Sequence, residues 1–250
     1  MKRVRFDAGD SLECGLEPVP IREGRGRGGV SLRRLHDGMR DACDGRRRAM
    51  LEACGISYAY PGTARLLYEG FDLAVAPDER VALSAPSGFG KTTLCRVLAG
   101  VEQPQAGRIL VDGNPLPDRG ASPVQMIWQH PETAVDPRMR MRKTLEEAGP
   151  VSEDLLDDLG IQRRWLSRFP HELSGGELQR FCIARALAVH PRYLIADEVS
   201  TMLDAVTQAQ IWRFLVNETK RRGIGLVFVS HSPALTDRIA TRVVDLTGRS

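Results

Sequence analysis

No stretch of the 250-residue chain approaches the roughly 18 consecutive apolar residues that a membrane-crossing helix requires, so no such helix is expected. Met1-Lys2-Arg3 runs into further charged residues instead of an apolar core, so a secretory signal peptide is not expected either. The five cysteines (Cys14, Cys43, Cys54, Cys95, Cys182) are odd in number and form no Cys-x-x-Cys pair. That usage argues against a disulfide frame or zinc site and for reduced thiols in a cytosolic protein. Aromatic residues make up only 6%, and among residues 1–50 only Phe6 interleaves the charges, so an aromatic-studded nucleic-acid arm is not expected there. What remains is a globular composition, 42% hydrophobic and 27% charged, with length enough for one large or two modest domains.

The net charge of +3 is unevenly placed: residues 1–50 hold 12 Lys/Arg against 8 Asp/Glu, and the remainder holds 23 against 24. This basic segment contains Arg25-Gly26-Arg27-Gly28-Gly29 and Arg46-Arg47-Arg48 and has little hydrophobic periodicity. It is expected to be a poorly ordered extension over 1–49, with at most one short helix from Val30 to Met39. A single folded domain is then expected over 50–250.

That domain opens on a strand from Leu51, ended by the Pro61-Gly62 turn, and continues in a second strand from Leu66 to Val75. Two strands here suggest an antiparallel β subdomain beside a parallel core. Next, Ala85-Pro86-Ser87-Gly88-Phe89-Gly90-Lys91-Thr92-Thr93 follows the apolar run Val81-Ala82-Leu83-Ser84 and leads into residues at helical spacing. Strand, small-residue loop, Lys-Thr and helix in that order are what a phosphate-binding P-loop needs. Gly88 and Gly90 let the backbone curl until its N–H groups face an anion, and the helix adds the positive end of its dipole. Lys91 is placed to reach β- and γ-phosphates, and the Thr92 hydroxyl to hold Mg²⁺. Ala85 stands where such loops usually open with glycine, so it must avoid positive φ. The plainer reading is a Gly-Lys-Thr turn without a ligand.

Val124-Gln125-Met126-Ile127-Trp128 reads as a buried strand, with Gln129 at its carboxyl end, where ligands of open α/β sheets bind. Short helices beyond it suggest an inserted helical subdomain. In Leu173-Ser174-Gly175-Gly176-Glu177-Leu178-Gln179-Arg180, Ser174 and Glu177 make a capping box for the next helix. Capping alone does not account for Gly175-Gly176, which weaken a first turn but permit close approach to an anion. Tyr193-Leu194-Ile195-Ala196-Asp197-Glu198 is an apolar strand ending in two carboxylates, one suited to Mg²⁺ and the other to the attacking water. Gly225 to Ser230 is a further strand, and it delivers His231 to the same sheet end, a candidate γ-phosphate sensor.

Loop, glutamine, LSGGELQR, Asp-Glu strand and histidine, in this order, resemble the ATP-binding subunits of ABC transporters, over about Leu51 to Leu246. Val124-Gln125-Met126, Ala134-Val135-Asp136-Pro137-Arg138 and Ala205 to Ile211 look most like the peptide and nickel importer branch. The resemblance implies an α/β P-loop NTPase core with a mostly parallel sheet, an antiparallel β subdomain and an inserted α-helical subdomain. It implies ATP and Mg²⁺ as cofactors and an active ATPase. By resemblance Ser87, Gly88, Phe89, Gly90, Lys91, Thr92 and Thr93 form the nucleotide loop, and Tyr60 stacks on adenine, with Tyr58 as an alternative. Thr92, Gln129 and Asp197 would hold the metal, Glu198 would be the catalytic glutamate, and His231 the switch histidine. Ser174, Gly175 and Gly176 would cap the ATP held by a second cassette, a copy or a relative, and Asp204 would be the D-loop aspartate at the nucleotide site. Val199-Ser200-Thr201-Met202 departs from the usual Pro-Thr-Ser-Ala, and Ser232 replaces an aspartate after the histidine. Partners implied are a second ATPase subunit, integral membrane permeases and, for an importer, a substrate-binding protein, with no nucleic acid. The implied place is the cytoplasmic face of the membrane. An ATPase subunit of a soluble multi-enzyme or nucleic-acid-associated complex is the alternative.

Overall fold

The computed structural model describes residues 2–5, 50–63, 65–200 and 203–247. Leu51–Tyr58 (β2) pairs antiparallel with Tyr68–Val75 (β3) and, on its other edge, with Ala106–Val111 (β5), which turns back into Asn114–Pro115 (β6). The expected second strand starts at Tyr68 and not Leu66. Leu66 is 40% exposed, and the Leu67 N–H still closes the turn onto the Tyr58 carbonyl at 2.7 Å.

The second sheet is parallel throughout. Arg80–Ser84 (β4) lies between Gly225–Val229 (β9) and Arg242–Asp245 (β10), while Tyr193–Asp197 (β8) and Val124–Ile127 (β7) continue beyond β9. Lys2–Arg5 (β1) pair with β10 at the other edge. The helix expected over Val30 to Met39, like the rest of 6–49, lies outside the described residues. β8 and β9 are buried at all five positions each, the near-continuous apolar run of strands covered on both faces. Their side chains alternate between two cores. Tyr193, Ile195, Val227 and Val229 face one that includes the antiparallel sheet, and Leu194, Ala196, Leu226 and Phe228 face the other.

Helix Lys91–Leu98 (α1) fills the first core with Leu94, Cys95, Val97 and Leu98, each fully buried. Truncating Leu94 or Leu98 to alanine would cost about 2–5 kcal/mol. The second core is closed by Gly175–Ala188 (α4), Ala205–Arg222 (α5) and an insert built on Met141–Glu146 (α2) and Glu153–Asp158 (α3). Met141, Leu156, Leu159 and Trp165 pack that insert against Phe181 of α4. α5 ends as helices should: Lys220, Arg221 and Arg222 occupy its last turn and Gly223 stops it at φ 68. The buried Glu218 is neutralised by Arg221 and Arg222. The last helix, Pro233–Ile239 (α6), is capped by Ser232, whose Oγ accepts from the Leu235 N–H at 3.3 Å. Serine at the aspartate position thus keeps the capping function. Cys95 and Cys182 are buried free thiols, but Cys54 is disulfide-bonded, contrary to the expectation of reduced thiols throughout.

Candidate functional site

Four strand ends converge on one edge of the parallel sheet, because parallel strands all point their carboxyl ends the same way. β4 delivers the loop from Ala85, β7 delivers Gln129, β8 delivers Asp197 and Glu198, and β9 delivers His231. The loop takes the geometry its glycines allow. Gly88 has φ 78, and Gly90, at the N-cap of α1, has φ 93. A Cβ on Gly90 would lie 2.7 Å from Leu67 Cδ2. Ala85 is not among the positive-φ residues, so alanine fits the first loop position without strain. Lys91 is 7% exposed, and its ammonium donates back to the Ala85 and Pro86 carbonyls at 2.7 and 3.0 Å. Those bonds hold the charge over the loop's concave side.

Next to the loop, the Thr92 hydroxyl donates to Asp197 Oδ1 at 3.3 Å. Asp197 is 1% exposed, and burial, the chief cause, raises its carboxyl pKa, against the opposing Thr92 bond. Burial works against the charged carboxylate even with Arg96 and Lys91 nearby, and a further cation beside it would favour that form. Among the described residues no trio of His, Cys, Asp or Glu gathers into a metal cage. One carboxylate and one hydroxyl are the share a protein gives Mg²⁺ when phosphate oxygens and water complete its shell, so the donors fit that ion.

Glu198 lies at the centre. Its Oε2 accepts from Gln129 Nε2 at 2.9 Å and its Oε1 meets His231 Nε2 at 2.7 Å, so one carboxylate bridges the ends of β7 and β9. Gln129, Glu198 and His231, expected from different stretches, are brought into one chain of contacts. Glu198 has φ 48, a left-handed conformation that costs a non-glycine residue about 1–3 kcal/mol. This kink ends β8 at Asp197 and turns the Glu198 side chain toward its two partners. Tyr60 is 48% exposed with its hydroxyl against Thr93 Oγ1, whereas Tyr58 is 3% exposed and bonds Glu102 at 3.2 Å. Of the two tyrosines Tyr60 is the exposed one, its ring T-shaped against that of Tyr58 with centroids 5.6 Å apart.

Ser174, Gly175 and Gly176 sit in a different cavity of about 480 Å³, lined also by Trp165, Arg180, Asp204 and Thr207 and by no loop residue. Ser174 is exposed; its Oγ accepts from the Glu177 N–H at 3.3 Å, and Glu177 accepts from the Ser174 N–H at 2.9 Å, the expected capping box. Asp204 caps α5 through the Val206 and Thr207 N–H groups, both at 3.0 Å. The Thr207 bonds hold its carboxyl below the ordinary 3.8. Arg180 joins the helical insert to α5 by donating to the Leu159 carbonyl at 2.5 Å and to Gln210 at 2.7 Å. That role is not legible in the residues, although Arg180 closes the LSGGELQR stretch. Nor is that of Gln179, 1% exposed, whose amide donates to the Trp128 carbonyl next to Gln129 at 3.3 Å.

A strand–loop–helix phosphate cradle, two carboxylates at the next strand end and a parallel sheet define a P-loop nucleoside triphosphatase. A family model described as ABC transporter matches residues 68–201, more than half of the chain. The nickel import ATP-binding protein NikE of Rhodospirillum rubrum is 37% identical over 212 residues, covering 76% of this chain and 76% of that protein. The probable peptide ABC transporter ATP-binding protein y4tS of Sinorhizobium fredii is 34% identical over 194 residues, 70% of this chain and 55% of its own length. A solved ATP binding subunit of an ABC transporter matches with a TM-score of 0.68 at 27% identity, covering 80% of this chain and 87% of that one. The cassette MJ0796, in a dimeric post-hydrolysis state bound to ADP and Pi, shares the fold with a TM-score of 0.69 at 22% identity, over 79% and 94% of the chains. The chain belongs to the ABC transporter family and is one of its ATP-hydrolysing subunits. These relatives favour the transport reading over that of a soluble multi-enzyme or nucleic-acid-associated ATPase. No helix among the described residues is long and apolar enough to cross a membrane.

Proposed function

We propose that this subunit drives uptake of a peptide or of nickel: one relative is named for nickel import and another for a peptide ABC transporter. It would do so on the cytoplasmic face of the membrane, against permease subunits and a second cassette that is either a copy or a relative. A substrate-binding protein would deliver the cargo, and nucleic acid has no part. The observation that carries the reading is the Glu198 carboxylate, held between Gln129 and His231 beside the Thr92–Asp197 pair.

ATP lies with its triphosphate in the loop Ser87 to Thr93 and its adenine on Tyr60. Lys91 exchanges its two loop carbonyls for phosphate oxygens. Thr92, Asp197 and the Gln129 side-chain amide oxygen would hold Mg²⁺, which would supply charge neutralisation at the β- and γ-phosphates. Glu198 takes the proton of the attacking water, and His231 keeps the carboxylate turned toward the γ-phosphate. The other face of the phosphate is closed by the partner cassette. A serine hydroxyl has one O–H to give and two lone pairs to receive. Ser174 can therefore keep capping its own helix while donating to a neighbour's γ-phosphate, with the Gly176 N–H beside it. Positioning and electrostatics carry most of the catalysis in phosphoryl transfer. Closure on ATP reaches the permease through residues 129–142. Ser174→Arg tests the shared site, because it fills the turn while leaving the chain's own loop intact. ATP-driven dimerisation on size-exclusion chromatography should disappear while ATP binding stays; a persisting dimer would refute the arrangement.

A further inference from the structure

The left-handed φ of 48 at Glu198 persists only where its surroundings over-determine it. On its amino side the β8 ladder and the Glu198 N–H, which donates to the Val229 carbonyl at 3.2 Å, fix the chain. On its carboxyl side Val199 is 2% exposed and Ser200 6%. The Ser200 hydroxyl accepts from Gln208 Nε2 and from Trp212 Nε1, both at 2.9 Å. Both acceptor lone pairs of the hydroxyl are thus filled, and the two donors stand one turn apart on one face of α5. Trp212, itself 2% exposed, meets Phe228 of β9 edge-on with ring centroids 5.3 Å apart. Ser200 therefore ties the segment leaving Glu198 to α5 and, through Trp212, to the strand that delivers His231. None of these contacts is used in the mechanism above.

We infer that Ser200 is a positioning residue for hydrolysis, its hydroxyl anchoring the carboxyl side of Glu198 to Trp212 and Gln208 so that the carboxylate stays between Gln129 and His231. The inference rests on the reading of Glu198 as the base. Without the hydroxyl, the Trp212 N–H is left buried and unpaired, the cost that makes the contact selective. The backbone after Glu198 can then relax, and the carboxylate withdraws from the water it must meet. A small displacement of this kind costs on the order of 10–100-fold in rate.

The test uses the full-length chain, at protein concentrations where turnover per subunit no longer rises. Ser200→Ala should lower kcat by on the order of 10–100-fold with KM and nucleotide affinity unchanged, because the loop of Lys91 and Thr92 is not touched. Ser200→Thr keeps the hydroxyl and should restore kcat, and Trp212→Phe, which deletes one donor and keeps a ring against Phe228, should fall between. Thr219→Val is the control for general loosening. Thr219 is 1% exposed and donates to the Leu215 carbonyl at 2.8 Å near the far end of α5, so its loss should lower Tm and leave kcat alone. The inference is overturned if Ser200→Ala keeps wild-type kcat while Glu198→Gln is slow, or if Thr219→Val loses kcat to the same degree. Should Glu198→Gln itself turn over normally, the base assignment fails first and takes this inference with it.

Discussion

Replacing Glu198 with glutamine removes one ionisable group and almost nothing else. The side chain keeps its length, so Gln129 and His231, at 2.9 and 2.7 Å, stay within reach. Lys91 and the loop carbonyls that hold it belong to another strand, so nucleotide affinity should not move. Two roles for the carboxylate then differ in magnitude. As an anchor for its two neighbours it contributes hydrogen bonds worth about 0.5–1.5 kcal/mol each, or about tenfold in rate if one is spoiled. As the group that accepts the proton of water, it contributes about 10²–10⁴-fold, which is about 3–5 kcal/mol of barrier. Steady-state phosphate release on the full chain, with ATP affinity from a fluorescent analogue, separates the two. The expected result is a loss of about a hundredfold or more in kcat at unchanged affinity. A loss of less than about tenfold would make Glu198 a structural anchor and refute its assignment as the base.

Lys91→Ala should abolish nucleotide binding outright, since no other cation in the loop can take its place; a titration with a fluorescent ATP analogue that still saturates would contradict this. Removing Mg²⁺ with a chelator should stop hydrolysis reversibly, and turnover surviving in chelator would exclude Asp197 and Thr92 as its holders. Asp204 gives a pH signature: its carboxyl sits below the ordinary 3.8, so its capping contribution is present above that value and is lost as pH falls through the depressed one. Asparagine caps without ionising, so the difference in Tm between wild type and Asp204→Asn should change as pH falls below 3.8 and be constant above it. A difference that tracks pH only in the neutral range would refute the assignment.

Much of this was legible in the residues because the elements that matter are strongly patterned. The buried strands of Asp197 and His231 read as unbroken apolar runs, and the Ser174–Glu177 capping box is present as expected. Contacts between distant stretches were not legible. Nothing in the spacing of Gln129, Glu198 and His231 states that one carboxylate bridges the other two, since that depends on the strand order β9-β8-β7. The left-handed turn at Glu198 and the Ser200 cluster were hidden for the same reason, because Trp212 and Gln208 belong to a helix that meets the strand end only in three dimensions. Lys2–Arg5 read as part of a charged extension, yet they form an edge strand on β10, a pairing made by backbone groups that side-chain patterning does not report.

The most direct test of a site completed by two cassettes is to mix two inactive forms of the chain, Lys91→Ala with an intact serine turn and Ser174→Arg with an intact loop. Differently tagged copies establish that mixed dimers form. A mixed dimer holds one whole site and one doubly broken one, and neither form pairs with itself on ATP, so turnover per subunit should rise from near zero toward about half that of wild type. Mixed dimers that form and remain inactive would contradict a phosphate cage shared between two subunits.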